Sequence, residues 1–239
     1  KTKFKMIFSL NSTDIAFINK KEPAFKKFIK SKKMRCKIID VKHKLSKHEN
    51  NLIKNIYFKN LNNQQNLSFV LKICSKLGIK KNIIFKVVNN FKPLSFRQQI
   101  IYNSDKLRII NDSKSTSFSS SINLLENLDR IFWVLGGLPK KGDKFKFKNK
   151  SNISKIYIYG KYKPFFIKFF KNKFKFSKFK DLNQAIKQVS IDINDEDKDK
   201  KINLIFSPCA ASFDNYKNFE ERGRHFNYLI NSYKIKNAR

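Results

Sequence analysis

Glycine is scarce in this chain: six in 239 residues, beside five prolines, three cysteines and one tryptophan. A phosphate-binding loop of the form G-x-x-x-x-G-K-[ST] needs glycines at fixed spacing, so that backbone N–H groups can wrap the phosphates. The one Gly-Lys pair, Gly160 and Lys161, is followed by Tyr162, so no such loop is present. Cys36, Cys74 and Cys209 are odd in number and form no C-x-x-C pair. That argues against a disulfide framework or a zinc site and fits a reducing cytoplasm. His43, His48 and His225 make no metal-ligand pattern. No apolar run approaches the ~20 residues needed to span a bilayer, and no signal peptide is visible.

Negative charge is also short: 18 Asp and Glu face 53 Lys and Arg, a formal +35. Taken at face value, that predicts affinity for nucleic acid. The lysines, however, are spread along nearly the whole chain and come with an excess of Asn, Ile and Phe, residues whose codons are rich in A and T. Genomic base composition produces such a bias without selection for binding. Neither zinc-finger spacing nor an RNP-like aromatic pattern accompanies it, so a nucleic-acid-binding module is the weaker expectation. Hydrophobic residues at 41% supply ample material for a core.

"DIAFIN" (14–19) and "CKIIDV" (36–41) read as short buried strands with a helix between them, a βαβ rhythm. "KHENNLIK" is polar and loop-like. Residues 62–79 place Leu67, Val70, Leu71, Cys74 and Leu77 at helical spacing, and a second helix over about 81–91 ends before Pro93. The pattern restarts there, which sets the expected domain boundary between residues 1–92 and 93–239. "QQIIYN" and "LRIIN" predict a β-hairpin. Strands follow at 130–137, 155–160 and 201–208, separated by helices near 117–128, at "KPFFIKFF" and at "DLNQAIKQVS". "DINDEDKDKK" reads as a solvated turn, and "NFEERGRHFNYLI" as a closing helix. Strands alternating with helices imply an α/β fold with a doubly wound, mostly parallel sheet.

In such sheets ligands sit beyond the carboxyl ends of strands. Three polar motifs fall at such ends. "NDSKST" (111–116) offers Asp112 to a ribose hydroxyl, and Lys114 and Thr116 to an anion near a helix start. "GGLPKKG" lets backbone approach a ligand at Gly136 and Gly137, with Lys140 or Lys141 reaching inward. In "SPCAASFDNYKNFEERG" (207–223), small residues, Ser212 and an aromatic helix start could cradle a carboxylate. Taken singly, each also fits a capped helix start or a glycine turn in a lysine-rich chain, and Phe219 by spacing alone fits a core.

In this order the three motifs resemble the C-terminal domain of the Mur ligases, and within that family the branch that adds D-glutamate to UDP-N-acetylmuramoyl-L-alanine. The family pattern is N-D-S-K-[AS]-T, an aromatic-hydrophobic strand ending in G-G-x-x-K, then S-P-[AC]-[CA]-A-S-x-D-x-[FY]-x-x-[FY]-x-x-R-G. The D-N-P-R signature of the meso-diaminopimelate-adding relatives is absent. Further upstream "LSFRQQ" is similar to the family's L-x-H-R-x-E, keeping Arg97 while Phe96 replaces the histidine. "NNQQN" is similar to H-N-x-x-N, with Asn63 and Asn66 matching. "KFKMIF" resembles K-x-R-I-F, whose lysine is carbamylated and helps bind a metal, which makes Lys3 the candidate.

The resemblance implies an ATP-dependent amide ligase in peptidoglycan precursor synthesis. It would be a cytoplasmic monomer using ATP and Mg2+, acting through an acyl phosphate that D-glutamate attacks. It puts Asn63, Asn66, Arg97 and Asp112 on ATP, and Lys114, Thr116, Lys140, Ser212 and Phe219 around the amino-acid substrate. It also implies that residues 1–92 close a central ATP-binding domain whose P-loop, and a UDP-binding domain, precede Lys1. The chain is accordingly expected to be a fragment, inactive alone. A folylpolyglutamate synthase is the related alternative.

Overall fold

A computed structural model describes residues 6–23, 25–26, 34–42, 44–59, 61–146, 152–196 and 199–237. The chain divides into two compact units, Lys1–Lys92 and Pro93–Arg239.

In the first unit β1 (Ile15–Ile18) and β2 (Lys37–Asp40) pair in parallel. A capped helix follows, α1 (Lys47–Leu52), where "KHENNLIK" predicts a loop. Its start is a reciprocal capping box: Ser46 accepts from the Glu49 N–H, and the Glu49 carboxylate accepts from the Ser46 N–H at 2.8 Å. No side chain of α1 is buried, so the apolar periodicity that marks a helix in sequence is missing. Helices α2 (Leu61–Lys76) and α3 (Lys81–Asn90) match the predicted pair. They enclose a small core of Leu45, Ile53, Phe58, Leu67, Leu71, Ile84, Phe85 and Val88.

The second unit is built on a six-stranded sheet of order β3-β4-β8-β5-β6-β7. The strands are β3 (Gln99–Asn103), β4 (Leu107–Asn111), β5 (Ile131–Gly136), β6 (Ile153–Tyr159), β7 (Phe176–Phe179) and β8 (Ile202–Phe206). The β3-β4 hairpin is antiparallel, with a register shift between Ile100 and Tyr102, and the other pairings are parallel. Strands β5 and β8 are buried at every position, as strands covered on both faces must be.

The two-residue period divides their side chains cleanly. Ile131, Trp133 and Leu135 face α4 (Phe118–Glu126) and α5 (Lys163–Phe170), whose Phe118, Leu124, Leu125, Phe166 and Phe170 complete that core. Phe132 and Val134 face α6 (Leu182–Asp195) and α7 (Phe219–Ser232), meeting Ala185, Ile186, Val189, Phe226, Leu229 and Ile230. The result is a three-layer α/β/α unit. Two details differ from the sequence reading. β7 is an additional strand, and α6 runs through Ile193, which is fully buried, to Asp195 instead of ending at 190 before a solvated turn over 192–201.

Candidate functional site

Strands β4, β8 and β5 are neighbours, so parallel pairing sets the loops after residues 111, 206 and 136 side by side at one edge of the sheet. The three polar motifs are therefore adjacent in space. The edge is also where strand order reverses, since β7 leads back across the sheet to β8, the position at which α/β sheets open a crevice.

The first loop is bound to the third by buried polar groups. Asn111 donates through Nδ2 to the Gly223 carbonyl (2.9 Å) and to Asn227 Oδ1 (2.8 Å), and its Oδ1 accepts from the Ser113 N–H. Ser113 Oγ donates to the Phe219 carbonyl at 2.8 Å. Arg222, a residue the sequence reading left without a role, is fully buried on α7. Its Nε donates to Ser113 Oγ, and its Nη2 donates to the carbonyls of Ser113 (2.7 Å) and Ala210 (3.0 Å). A signal was available: Arg222 shares one helical stripe with Phe226, Leu229 and Ile230, and a charge on an apolar stripe demands buried partners.

The glycine turn closes the group. Leu138 and Ala211 exchange backbone hydrogen bonds at 2.9 Å, which joins the second motif to the third. Gly137 sits at φ +127°, and a Cβ there would lie 2.5 Å from the Ala211 carbonyl oxygen and 2.9 Å from Arg222 Nη1. Only glycine fits that approach. Likewise, a Cβ at Gly223 would run into the Phe96 ring.

Asp112 is 5% exposed. Its Oδ1 accepts from the Gln98 N–H (3.1 Å) and its Oδ2 from Ser207 Oγ (2.9 Å). Ser207 continues into a hydroxyl chain through Ser121 (2.6 Å) and Ser115 (2.6 Å), with Cys209 Sγ 2.9 Å from Ser121. Burial pushes the Asp112 carboxyl up to about 7, against the opposing pull of the Ser207 and Gln98 bonds and of Arg97 and Arg222. Burial likewise raises the Cys209 thiol, so it is an inert packing group rather than a nucleophile.

The sequence-predicted residues fall as follows. Lys114 and Phe219 meet directly, with the ammonium 3.9 Å from the ring centroid, a cation–π geometry. Ser212 is 3% exposed and its carbonyl accepts from the Asn215 and Tyr216 N–H groups in the turn before α7. Thr116 is exposed just before Ser117, the N-cap of α4. Lys140 and Lys141 are both exposed beyond the glycine turn. Arg97 is exposed in the loop whose backbone holds Asp112. Asn63 and Asn66 belong to α2 of the first unit. Asn63 is buried and donates to the Tyr57 carbonyl at 2.8 Å, and Asn66 is exposed. Lys3 lies outside the described residues. Among the described residues no group of three or more His, Cys, Asp or Glu side chains could hold a metal ion, and no helix is long and apolar enough to cross a membrane.

A three-layer α/β/α unit with three polar loops gathered at one sheet edge has the form of a ligand-binding α/β domain, and comparison with known proteins bears on its class. Solved structures of this fold include the MurF ligase from Thermotoga maritima in complex with ADP (TM-score 0.58, 11% identity, 99% of this chain and 57% of that one). A Mycobacterium tuberculosis folylpolyglutamate synthase complexed with ADP and AMPPCP gives a TM-score of 0.55 at 11% identity over 95% of this chain and 58% of that one. No protein-family model matches the chain. Among curated sequences, the UDP-N-acetylmuramoylalanine–D-glutamate ligase of Rickettsia bellii is 31% identical over 182 residues, 76% of this chain and 40% of the relative. The enzyme of the same name from Prochlorococcus marinus is 33% identical over 181 residues, 72% of this chain and 37% of the relative. The chain belongs to the Mur ligase family, and its curated relatives are named for D-glutamate addition. It spans about two fifths of their length.

Proposed function

We propose that this chain is part of an ATP-dependent amide ligase that joins D-glutamate to UDP-N-acetylmuramoyl-L-alanine in the cytoplasm, its first unit closing a central ATP-binding domain and its second forming the domain that receives the amino acid. The observation that carries the reading is the Lys114–Phe219 contact, flanked by the Ser212 turn on the next strand end. A dicarboxylate leaving water needs cations and hydrogen-bond donors, and Lys114, the exposed Thr116 hydroxyl and the exposed Lys140 are the candidates for that task. On the motifs they match, Asn63 and Asn66 of the first unit and Arg97 and Asp112 of the second are each proposed for the nucleotide, the exposed Asn66 and Arg97 by contact and the buried, internally bonded Asn63 and Asp112 by positioning their surroundings. The likeness to a folylpolyglutamate synthase is one of fold and does not choose the acceptor; the three ordered motifs favour D-glutamate.

In the reaction, phosphoryl transfer from ATP converts the carboxylate of the L-alanyl group to an acyl phosphate. The amino group of D-glutamate attacks its carbonyl, forming the amide and releasing phosphate. The protein's contribution is positioning and charge neutralisation. Lys3, the candidate to help hold magnesium through a carbamate, lies outside the described residues.

A chimaera tests this: residues 93–239 replace the matching region of the Rickettsia bellii relative. ATP-dependent product formation is then assayed with D-glutamate, L-glutamate, meso-diaminopimelate and a folate acceptor. D-glutamate joined to UDP-N-acetylmuramoyl-L-alanine is the expected product. Glutamate transferred to folate, or D-glutamate ignored, contradicts it. The chain by itself is expected to release phosphate from ATP only at background, since it carries no phosphate-wrapping loop.

A further inference from the structure

At the carboxyl ends of β1 and β2 the first unit contains a cavity of about 330 Å³ lined by Asn19, Lys21, Asp40, Val41, Lys42 and Lys44. None of these residues takes part in the strand-end cluster of the second unit. Local hydrogen bonds fix the walls. The Val41 N–H donates to the Ile18 carbonyl (2.9 Å), and the Lys20 N–H to Asp40 Oδ1 (2.9 Å). The Asn19 Oδ1 accepts from the Lys21 N–H at 2.8 Å.

Asn19 is 7% exposed, and among the described residues its Nδ2 has no hydrogen-bond partner. The amide cannot be turned over, because that would set its NH2 group against the Lys21 N–H. A buried donor left unmade is costly, and this one belongs to a residue that lines a cavity of ligand size. Lys21, Lys42 and Lys44 stand exposed around it and, among the described residues, make no ion pair. Asp40 Oδ1 is occupied, and among the described residues no donor reaches its Oδ2.

We propose that this cavity binds a small phosphomonoester bearing free hydroxyls, the phosphate taken by the Asn19 amide and the lysines, and a hydroxyl donating to Asp40 Oδ2. Lysines serve as point charges for phosphate, the amide adds direction, and one carboxylate among three cations selects against a bare anion. The proposal goes beyond the ligase reading and does not depend on it, because neither the strand-end motifs nor turnover enters it.

The test titrates the full chain at low ionic strength with ribose 5-phosphate, inorganic phosphate and ribose, following side-chain and backbone amide resonances. Ribose 5-phosphate is expected to shift the Asn19 side-chain amide and saturate, inorganic phosphate to bind more weakly, and ribose to leave the spectrum unchanged. Asn19→Asp keeps the acceptor for the Lys21 N–H and removes the donor; it should weaken binding by about ten- to a hundredfold. Lys42→Gln should cost about tenfold, while Lys187→Gln, the same charge change at an exposed position of α6, should cost nothing. Shifts that never saturate, equal losses from Lys42→Gln and Lys187→Gln, or unchanged affinity in Asn19→Asp would each reduce the effect to diffuse attraction by a +35 chain and overturn the site. Inorganic phosphate binding as tightly as ribose 5-phosphate would overturn the hydroxyl-bearing class.

Discussion

Asp112 and Arg222 show how much polar chemistry a single buried corner holds. The Asp112 carboxyl is raised in the folded state to about 7 from an unfolded value near 4. The folded protein therefore binds a proton more readily than the unfolded chain between those values. The sign follows: this group favours the folded state below about pH 4, and its contribution is lost as pH rises through about 7. Relative to Asp112→Asn, the wild-type chain should lose about 2–3 kcal/mol of unfolding free energy between pH 5 and pH 8. Urea titrations at the two pH values measure it, and parallel pH profiles would disprove it. Arg222 acts through geometry. Replacing it by Met leaves the buried Ser113 and Ala210 carbonyls without these donors, so a loss on the order of 3 kcal/mol is expected in the same titration.

At the scale of elements, the turn after β5 is the tightest junction. Gly137→Ala would place a methyl 2.5 Å from the Ala211 carbonyl oxygen at a φ that alanine resists. A cost of about 1–3 kcal/mol is expected, together with faster exchange of the Leu138 and Ala211 amides; unchanged exchange would show that the turn does not hold the loops. The elements legible in the sequence were those with a period. β5 announces itself as an apolar run, β8 as one broken only by Asn203, and α2, α3 and α7 as helical stripes. β7 is not legible because it is a four-residue edge strand whose Phe176 and Phe179 fall three apart and pack on opposite faces, with no alternation to read. α1 has a capping box but no apolar face, so the cap alone had to carry the signal. α6 was cut short because acidic residues crowd its end, although Ile186, Val189 and Ile193 keep helical spacing. Within the site, the three motifs were readable as sequence, whereas the buried links through Asn111, Ser113 and Arg222 depend on side-chain directions that no spacing specifies.

For the whole molecule, the charge that dominates the composition says least about function, and the order of three short motifs says most. Parallel topology turns that order into proximity, because β4, β8 and β5 deliver their loops to one edge. We propose that this edge receives the carboxylates of D-glutamate through Lys114 and Lys140. The most direct measurement is kcat/KM for D-glutamate in the chimaera carrying Lys114→Ala or Lys140→Ala. Each should lower it about ten- to a hundredfold, as removal of a charged hydrogen-bond donor does, with the KM for ATP unchanged. A loss from Lys141→Ala in place of Lys140→Ala would shift the contact by one residue and keep the site. Unchanged kcat/KM in all three variants would contradict the account.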